Sequence, residues 1–173
     1  MYKSKSVKEL MIDVFEFPHI PHWFTIKQAM GIIKKSFVET KKSVFPQIVL
    51  VFDEKYNLMG TLTPRDIIKG LEPKLKHVTI KEAEIAYVNE DTLTSFEANL
   101  FSSQAKELAE KPVSEIMIPV KTFVSPEDSI LKAAFLMVHQ NLVVLPVLEN
   151  KKLVGVVRML EAFDEISNIV LEA

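Results

Sequence analysis

Apolar and polar positions along the chain alternate between two spacings, and the alternation runs twice. Behind Thr25, the residues Ile26, Ala29, Met30 and Ile33 recur at the three-and-four spacing of a helix face. Thr25-x-x-Gln28 is a capping box, whose hydroxyl and amide each satisfy an orphan donor at the helix start. The run Ile48–Phe52 is rich in β-branched residues. It is followed by the polar turn Asp53–Asn57 and by Leu58–Leu62, which predicts a hairpin. Ile67, Ile68 and Leu71 then return to helical spacing until Gly70 and Pro73 disrupt it. The second half repeats the order. Ser129 caps a helix carrying Ile130, Ala133 and Met137, and Leu142–Leu148, the turn Glu149–Lys152 and Leu153–Val157 make a second hairpin. Leu160, Phe163, Ile166 and Val170 mark the closing helix. With a lead-in strand before each first helix, both halves read strand, helix, strand, strand, helix, which places the chain in the α/β class.

The duplication is also literal. Val7-Lys8-Glu9-Leu10-Met11-Ile12 is echoed by Val113-Ser114-Glu115-Ile116-Met117-Ile118, and Thr25-Ile26-Lys27-Gln28-Ala29 by Ser129-Ile130-Leu131-Lys132-Ala133. Pro46 and Pro146 each border an apolar run, and Leu58-Met59-Gly60-Thr61-Leu62 matches Leu153-Val154-Gly155-Val156-Val157. The offsets are 106 residues (7 to 113), 104 (25 to 129), 100 (46 to 146) and 95 (60 to 155), so order is kept while loops differ in length. Four matches in register mark an internal repeat. The boundaries that follow are a first repeat over 7–71, an inserted connection over 72–112, and a second repeat over 113–171. The insert has no counterpart elsewhere and is mildly acidic. Thr94-x-x-Glu97 is a further capping-box signal there, and Phe96, Leu100 and Leu108 suggest one surface-packed helix.

Laid out in this way, the repeat resembles a tandem pair of cystathionine-β-synthase (CBS) domains, the arrangement called a Bateman module. Gly60-Thr61-Leu62-Thr63-Pro64-Arg65-Asp66 fits the family's Gly-x-x-Ser/Thr-x-x-Asp segment, and Ile116-Met117-Ile118-Pro119-Val120 and Ala133-Ala134-Phe135-Leu136-Met137 look like the same family. The resemblance implies two repeats related by a pseudo-twofold axis and packed sheet to sheet. It also implies an adenine nucleotide (AMP, ADP or ATP) in the cleft between them, a regulatory role, and pairing of modules into homodimers. Duplicated helices with apolar positions beyond one buried stripe, such as Phe135, Leu136 and Phe163, agree with such pairing. The runner-up is a ligand-free dimerisation or interaction module.

The residues carry a chemistry of their own. Thr63 stands where a strand gives way to a helix with proline at its first position, and a helix N-terminus with a hydroxyl suits phosphate. Asp66 accepts only, and its two oxygens suit a pair of ribose hydroxyls. The resemblance implies the same division, Thr63 at phosphate and Asp66 at ribose. The same four residues are also an ordinary helix start, with Thr63 as cap; the two roles are compatible. Of the 21 basic residues only Arg65 and Arg158 are arginine, and both follow a repeat glycine. A guanidinium fork binds phosphate oxygens in pairs, as lysine does not.

The resemblance implies that the remaining wall of the first site comes from the opposite repeat: Ile118 and Thr122 near the lead-in strand, and Leu142, Val143 and Pro146 before the second hairpin. The second half departs from the motif, with Arg158 where Ser/Thr is expected and Glu161 where Asp is expected. Arg158 there either holds a phosphate or fills the site. Ile12, His19, Val44 and Phe45 are the matching wall candidates.

Composition narrows the function further. A net charge of −2 argues against broad electrostatic capture of nucleic acid, and zero cysteines remove disulfides, thiol catalysis and thiolate metal sites. His19-x-x-His22 lacks carboxylates at ligand spacing, so no metal site is expected. Neither a nucleophile elbow nor a paired-carboxylate arrangement is present, so no catalytic residue and no required cofactor is expected. The longest apolar runs fall far short of the ~20 residues of a membrane helix. The expectation is a cytoplasmic protein with neither a membrane nor a nucleic-acid partner, able to regulate a further protein.

Overall fold

A computed structural model describes residues 4–39, 48–72 and 90–171. Its first half holds α1 (Val7–Leu10), β1 (Ile12–Asp13), β2 (His19–Pro21), α2 (Ile26–Ile33), β3 (Val49–Phe52), β4 (Leu58–Leu62) and α3 (Pro64–Leu71). Two helices, α4 (Glu90–Leu100) and α5 (Ser103–Ala109), lie between the halves. The second half holds β5 (Ile118–Pro119), α6 (Ile130–Gln140), β6 (Val144–Glu149), β7 (Lys152–Arg158) and α7 (Met159–Leu171). Both capping signals at the first helices act as read: Thr25 Oγ1 accepts from the Gln28 amide, and Ser129 Oγ accepts from the Leu131 amide. Both hairpins are antiparallel, and each has a register shift at the matched place, Val51/Phe52 in one and Val147/Leu148 in the other.

The strands sort into a four-stranded sheet, β2-β3-β4-β5, and a three-stranded sheet, β1-β7-β6. Each half therefore gives its lead-in strand to the other half's sheet. Ile118 and Pro119 pair with Thr61 and Gly60, and Ile12 and Asp13 pair with Val156 and Gly155. The repeat glycines make this exchange possible. A Cβ on Gly60 would stand 2.7 Å from the Ile118 carbonyl oxygen, and one on Gly155 would stand 2.8 Å from that of Ile12. No side chain fits beneath a backbone so close.

Three cores follow from strand alternation. Val49 and Val51 face α2 and α3 with Ile26, Ile33 and Ile67, while Leu145, Val147 and Val157 face α6 and α7 with Ile130 and Met137. Leu50, Phe52, Val144 and Val156 point the other way and meet between the sheets. Both faces of β3 are thus buried, which is why it reads as an unbroken apolar run. Truncating a fully buried leucine such as Leu50 to alanine costs about 2–5 kcal/mol.

Two expectations need correction. Among the described residues the connection holds two helices, where one is expected. Thr94 lies inside α4, already helical from Glu90, so its hydroxyl caps nothing; Ser102 opens the second helix by accepting from the Ala105 amide. Phe96 and Leu100 consequently sit on a different helix from Leu108. Gly70 does not end its helix either, since α3 continues through Leu71. A Cβ at Gly70 would come within 2.7 Å of Ile116, so this glycine makes room for the opposite half's lead-in segment.

Candidate ligand-binding cleft

The junction of β4 and α3 is built by Thr63 and Asp66. Thr63 is extended (φ −119°, ψ 163°) and Pro64 opens the helix. The Thr63 hydroxyl accepts from the Asp66 amide at 3.3 Å. Oδ2 of Asp66 in turn accepts from the Thr63 amide at 2.9 Å and from its hydroxyl at 2.6 Å. The pair is a reciprocal capping box, and it aims the carboxylate. Oδ2 is occupied, while Oδ1 makes no hydrogen bond among the described residues.

Across from this junction lie β5 with the segment after it, and the segment between α6 and β6. The α6 helix ends on Asn141 in the left-handed conformation (φ 54°, ψ 46°). The chain then turns so that the Leu142 amide reaches the Met137 carbonyl and the Val143 carbonyl accepts from the Met159 amide. Between the two walls is a cleft of about 620 Å³. Thr63, Arg65, Asp66, Ile118, Thr122, Leu142, Val143 and Pro146 all line it. The exposed side chains of Ile118 and Val143 give it apolar flanks. Thr122 donates its hydroxyl hydrogen to the side-chain oxygen of Gln140, fixing two polar groups on the rim.

The charges are disposed unevenly. Asp66 is half-buried, whereas Arg65 and Lys121 stand out at the edge. Neither cation has a carboxylate within ion-pair distance among the described residues. Lys121, Gln140 and Thr61 escape the sequence reading. Lys121 lies in the connection after β5, and Gln140 is the last residue of α6, beyond the apolar stripe of that helix. Thr61 is a strand residue whose outward face is set only by the pairing with Ile118.

At the matched place in the second half, Arg158 and Glu161 close on each other. Nε of Arg158 donates to Oε2 at 2.8 Å and Nη2 donates to Oε1, a fork-to-carboxylate pair on an arginine only 8% exposed. Ile12 lies nearby, paired with Val156. His19 lines a separate cleft that includes none of Arg158, Glu161 and Ile12, and Val44 and Phe45 lie outside the described residues. His22 turns to Glu54, with Nε2 3.1 Å from Oε1. Among the described residues no group of three or more His, Asp or Glu could hold a metal ion, and no helix is long and apolar enough to cross a membrane.

Residues 113–168 match the CBS domain family. That match falls on the second half of the chain. The whole fold is that of a CBS-domain pair. The CBS-pair protein CBSX2 from Arabidopsis thaliana aligns over 99% of this chain and 100% of its own, at 16% identity and a TM-score of 0.63. A structure of CBSX2 in complex with AMP aligns over 95% and 98%, at 16% identity and a TM-score of 0.62. The cytosolic domain of the Mg2+ channel MgtE in complex with ATP aligns over 94% of this chain but 49% of its own, at 21% identity and a TM-score of 0.60. At these identities the likeness is one of fold. No curated protein matches the chain by sequence.

Proposed function

We propose that this CBS pair is a regulatory module that senses an adenine nucleotide, AMP, ADP or ATP, in the cleft holding Thr63 and Asp66. The observation that carries the reading is convergence. Residues from both repeats meet around one opening that has an available carboxylate oxygen inside, two cations without ion pairs at its edge, and apolar flanks. Asp66 Oδ1 accepts from a ribose hydroxyl, and Ile118, Val143 and Pro146 flank the adenine. Arg65 and Lys121 take the phosphates. The Thr63 hydroxyl already donates to Asp66, so its part is to hold that carboxylate unless it turns to the ligand. The volume lies within the ~300–1,000 Å³ common for small-molecule sites. AMP and ATP in the two CBS structures above support the ligand class.

The same reading makes the module non-catalytic, cytoplasmic, dimeric through its helix faces, and coupled to a protein it regulates. It divides the chain into repeats over 7–71 and 113–171 with a connection over 72–112. Calorimetric titration with AMP, ADP and ATP tests it, alongside thermal melts. Ligand at 100 times Kd stabilises the native state by about 2.7 kcal/mol. If no adenine nucleotide binds at millimolar concentration, the sensing role falls and the chain is an interaction module. That second reading draws on the exposed apolar face of α6 and α7, where Phe135 and Phe163 are 67% and 63% exposed.

A further inference from the structure

A second cleft, of about 470 Å³, opens at the turn ends of the two hairpins and shares only Val120 with the first. Matched residues of both halves line it, Leu58 with Leu153 and Phe52 with Leu148, so it lies between the repeats. One wall is a chain of rings. His19 meets Phe15 edge-on at 6.5 Å and Phe52 at 5.9 Å, and Phe52 leans on Tyr56 at 5.8 Å. The His19 ring is held by the segment leading into its strand, with Nδ1 donating to the Phe17 carbonyl at 3.2 Å.

The other groups of chemical weight in this cleft are Lys55, Lys151 and Lys152. No carboxylate lines it, and none lies within ion-pair distance of these ammoniums among the described residues. Glu149 is across the hairpin from Lys152 without reaching it. Asp53, the acid of the first turn, is spent on that turn: Oδ1 accepts from the amides of Lys55 and Asn57, and Oδ2 accepts from the Asn57 side chain. Those bonds, the side-chain one above all, hold its carboxyl below the usual range. The turn is thereby fixed with Tyr56 left-handed (φ 61°) and its ring 74% exposed. Asn150 and Lys151 are both left-handed (φ 51° and 65°), which makes the second turn a tight two-residue one.

Exposed rings offer stacking and edge contacts to a planar group. Three ammoniums without a carboxylate in ion-pair contact among the described residues, Lys55 alone sharing the field of Asp53, offer strong donors to an anion. From the pairing of this ring wall with Lys55, Lys151 and Lys152, we infer that the cleft binds a small aromatic anion, a one- or two-ring compound bearing a phosphate or carboxylate. The ring seats against the exposed Phe15, His19 and Tyr56, with the largely buried Phe52 behind them, and the anionic group seats at the lysines. The inference does not rest on nucleotide binding at Thr63 and Asp66.

Amide chemical-shift titration of the full chain tests it with 1-naphthyl phosphate, 1-naphthoate and inorganic phosphate as probes. The expected result is saturable shifts of the amides over 55–57 and 151–153 with both naphthyl probes, and binding at least about tenfold weaker for inorganic phosphate. The double variant Lys151→Glu/Lys152→Glu should weaken the naphthyl probes by about tenfold or more. Tyr56→Asn, which keeps a residue tolerant of the left-handed turn, should weaken them while leaving the rest of the spectrum in place. The inference is overturned if neither naphthyl probe shifts those two turns by about 10 mM. It is also overturned if shifts appear only around Thr63 and Asp66, if inorganic phosphate binds as well as the naphthyl probes, or if both variants bind as wild type.

Discussion

The guanidinium of Arg158 grips the carboxylate of Glu161 at the place where, in the other repeat, Thr63 caps Asp66. Both pairs tie the strand end to the first turn of the following helix, but they differ in what they leave over. The Thr63–Asp66 pair leaves one carboxylate oxygen without a partner among the described residues, whereas both oxygens of Glu161 are engaged by one buried arginine. The second motif is therefore closed by its own charges.

A difference between the two carboxylates follows. Glu161→Ala leaves a buried guanidinium without its fork partner and should lower stability by about 3 kcal/mol, with nucleotide affinity unchanged. Denaturant unfolding and calorimetry on the same preparation check both halves of that statement. Wild-type stoichiometry should be one nucleotide per chain.

Asp66→Ala should do the reverse. The lost capping box lowers stability by only about 1 kcal/mol, while the lost charge-assisted acceptor weakens nucleotide binding roughly ten- to a hundredfold. Arg65→Lys keeps the charge and loses the fork, so its effect should grow from adenosine through AMP to ATP in the same titrations. If Asp66→Ala binds as wild type while Glu161→Ala does not, the two sites are assigned the wrong way round.

The glycines give a test that needs no ligand. Gly60→Ala and Gly155→Ala each push a methyl against a carbonyl oxygen of the crossing strand, which should cost about 1–3 kcal/mol and several degrees in Tm. Gly31, within α2, has nothing within 4 Å of an added Cβ. Gly31→Ala should accordingly stabilise by about 0.5–1 kcal/mol. Equal and small effects at all three positions would show that the strand exchange is not held as tightly as described.

Dimerisation is predicted on the second half's helices. Leu131, Phe135 and Val138 form an exposed stripe at helical spacing on α6, and Leu160, Phe163 and Val170 are exposed along α7. In the first half α5 of the connection packs beside α2 and α3, its Ala105 and Ala109 facing Met30 and Leu71. Twofold pairing should thus use α6 and α7. Light scattering should give about twice 19.7 kDa at micromolar concentration, and Phe135→Glu with Phe163→Glu should return the monomer.

Much of this was legible in advance because it is local. A cap is decided within four residues, as at Thr25, Ser129 and Thr63, and a hairpin within a turn, as at Asp53–Asn57. The failures share a cause too. Thr94-x-x-Glu97 has the letters of a capping box, but a cap needs an extended backbone, and the chain is helical from Glu90. His19 belongs with the second motif by chain order alone. Its ring instead packs edge-on against Phe52 and lines the cleft at the turn ends of the hairpins.

The sequence by itself determined the elements of the two repeats, their twofold repetition and the placing of Thr63 and Asp66 at a helix start, because periodicity, caps and a repeated motif are properties of neighbours along the chain. Tertiary structure alone decided that the lead-in strands are exchanged, that Gly60 and Gly155 lie under a crossing carbonyl, that Arg158 turns inward to Glu161, and that four rings and three lysines share one cleft. Those outcomes depend on which backbones approach within hydrogen-bonding distance across the pseudo-twofold axis, and that is a matter of long-range pairing and burial, to which local spacing is blind.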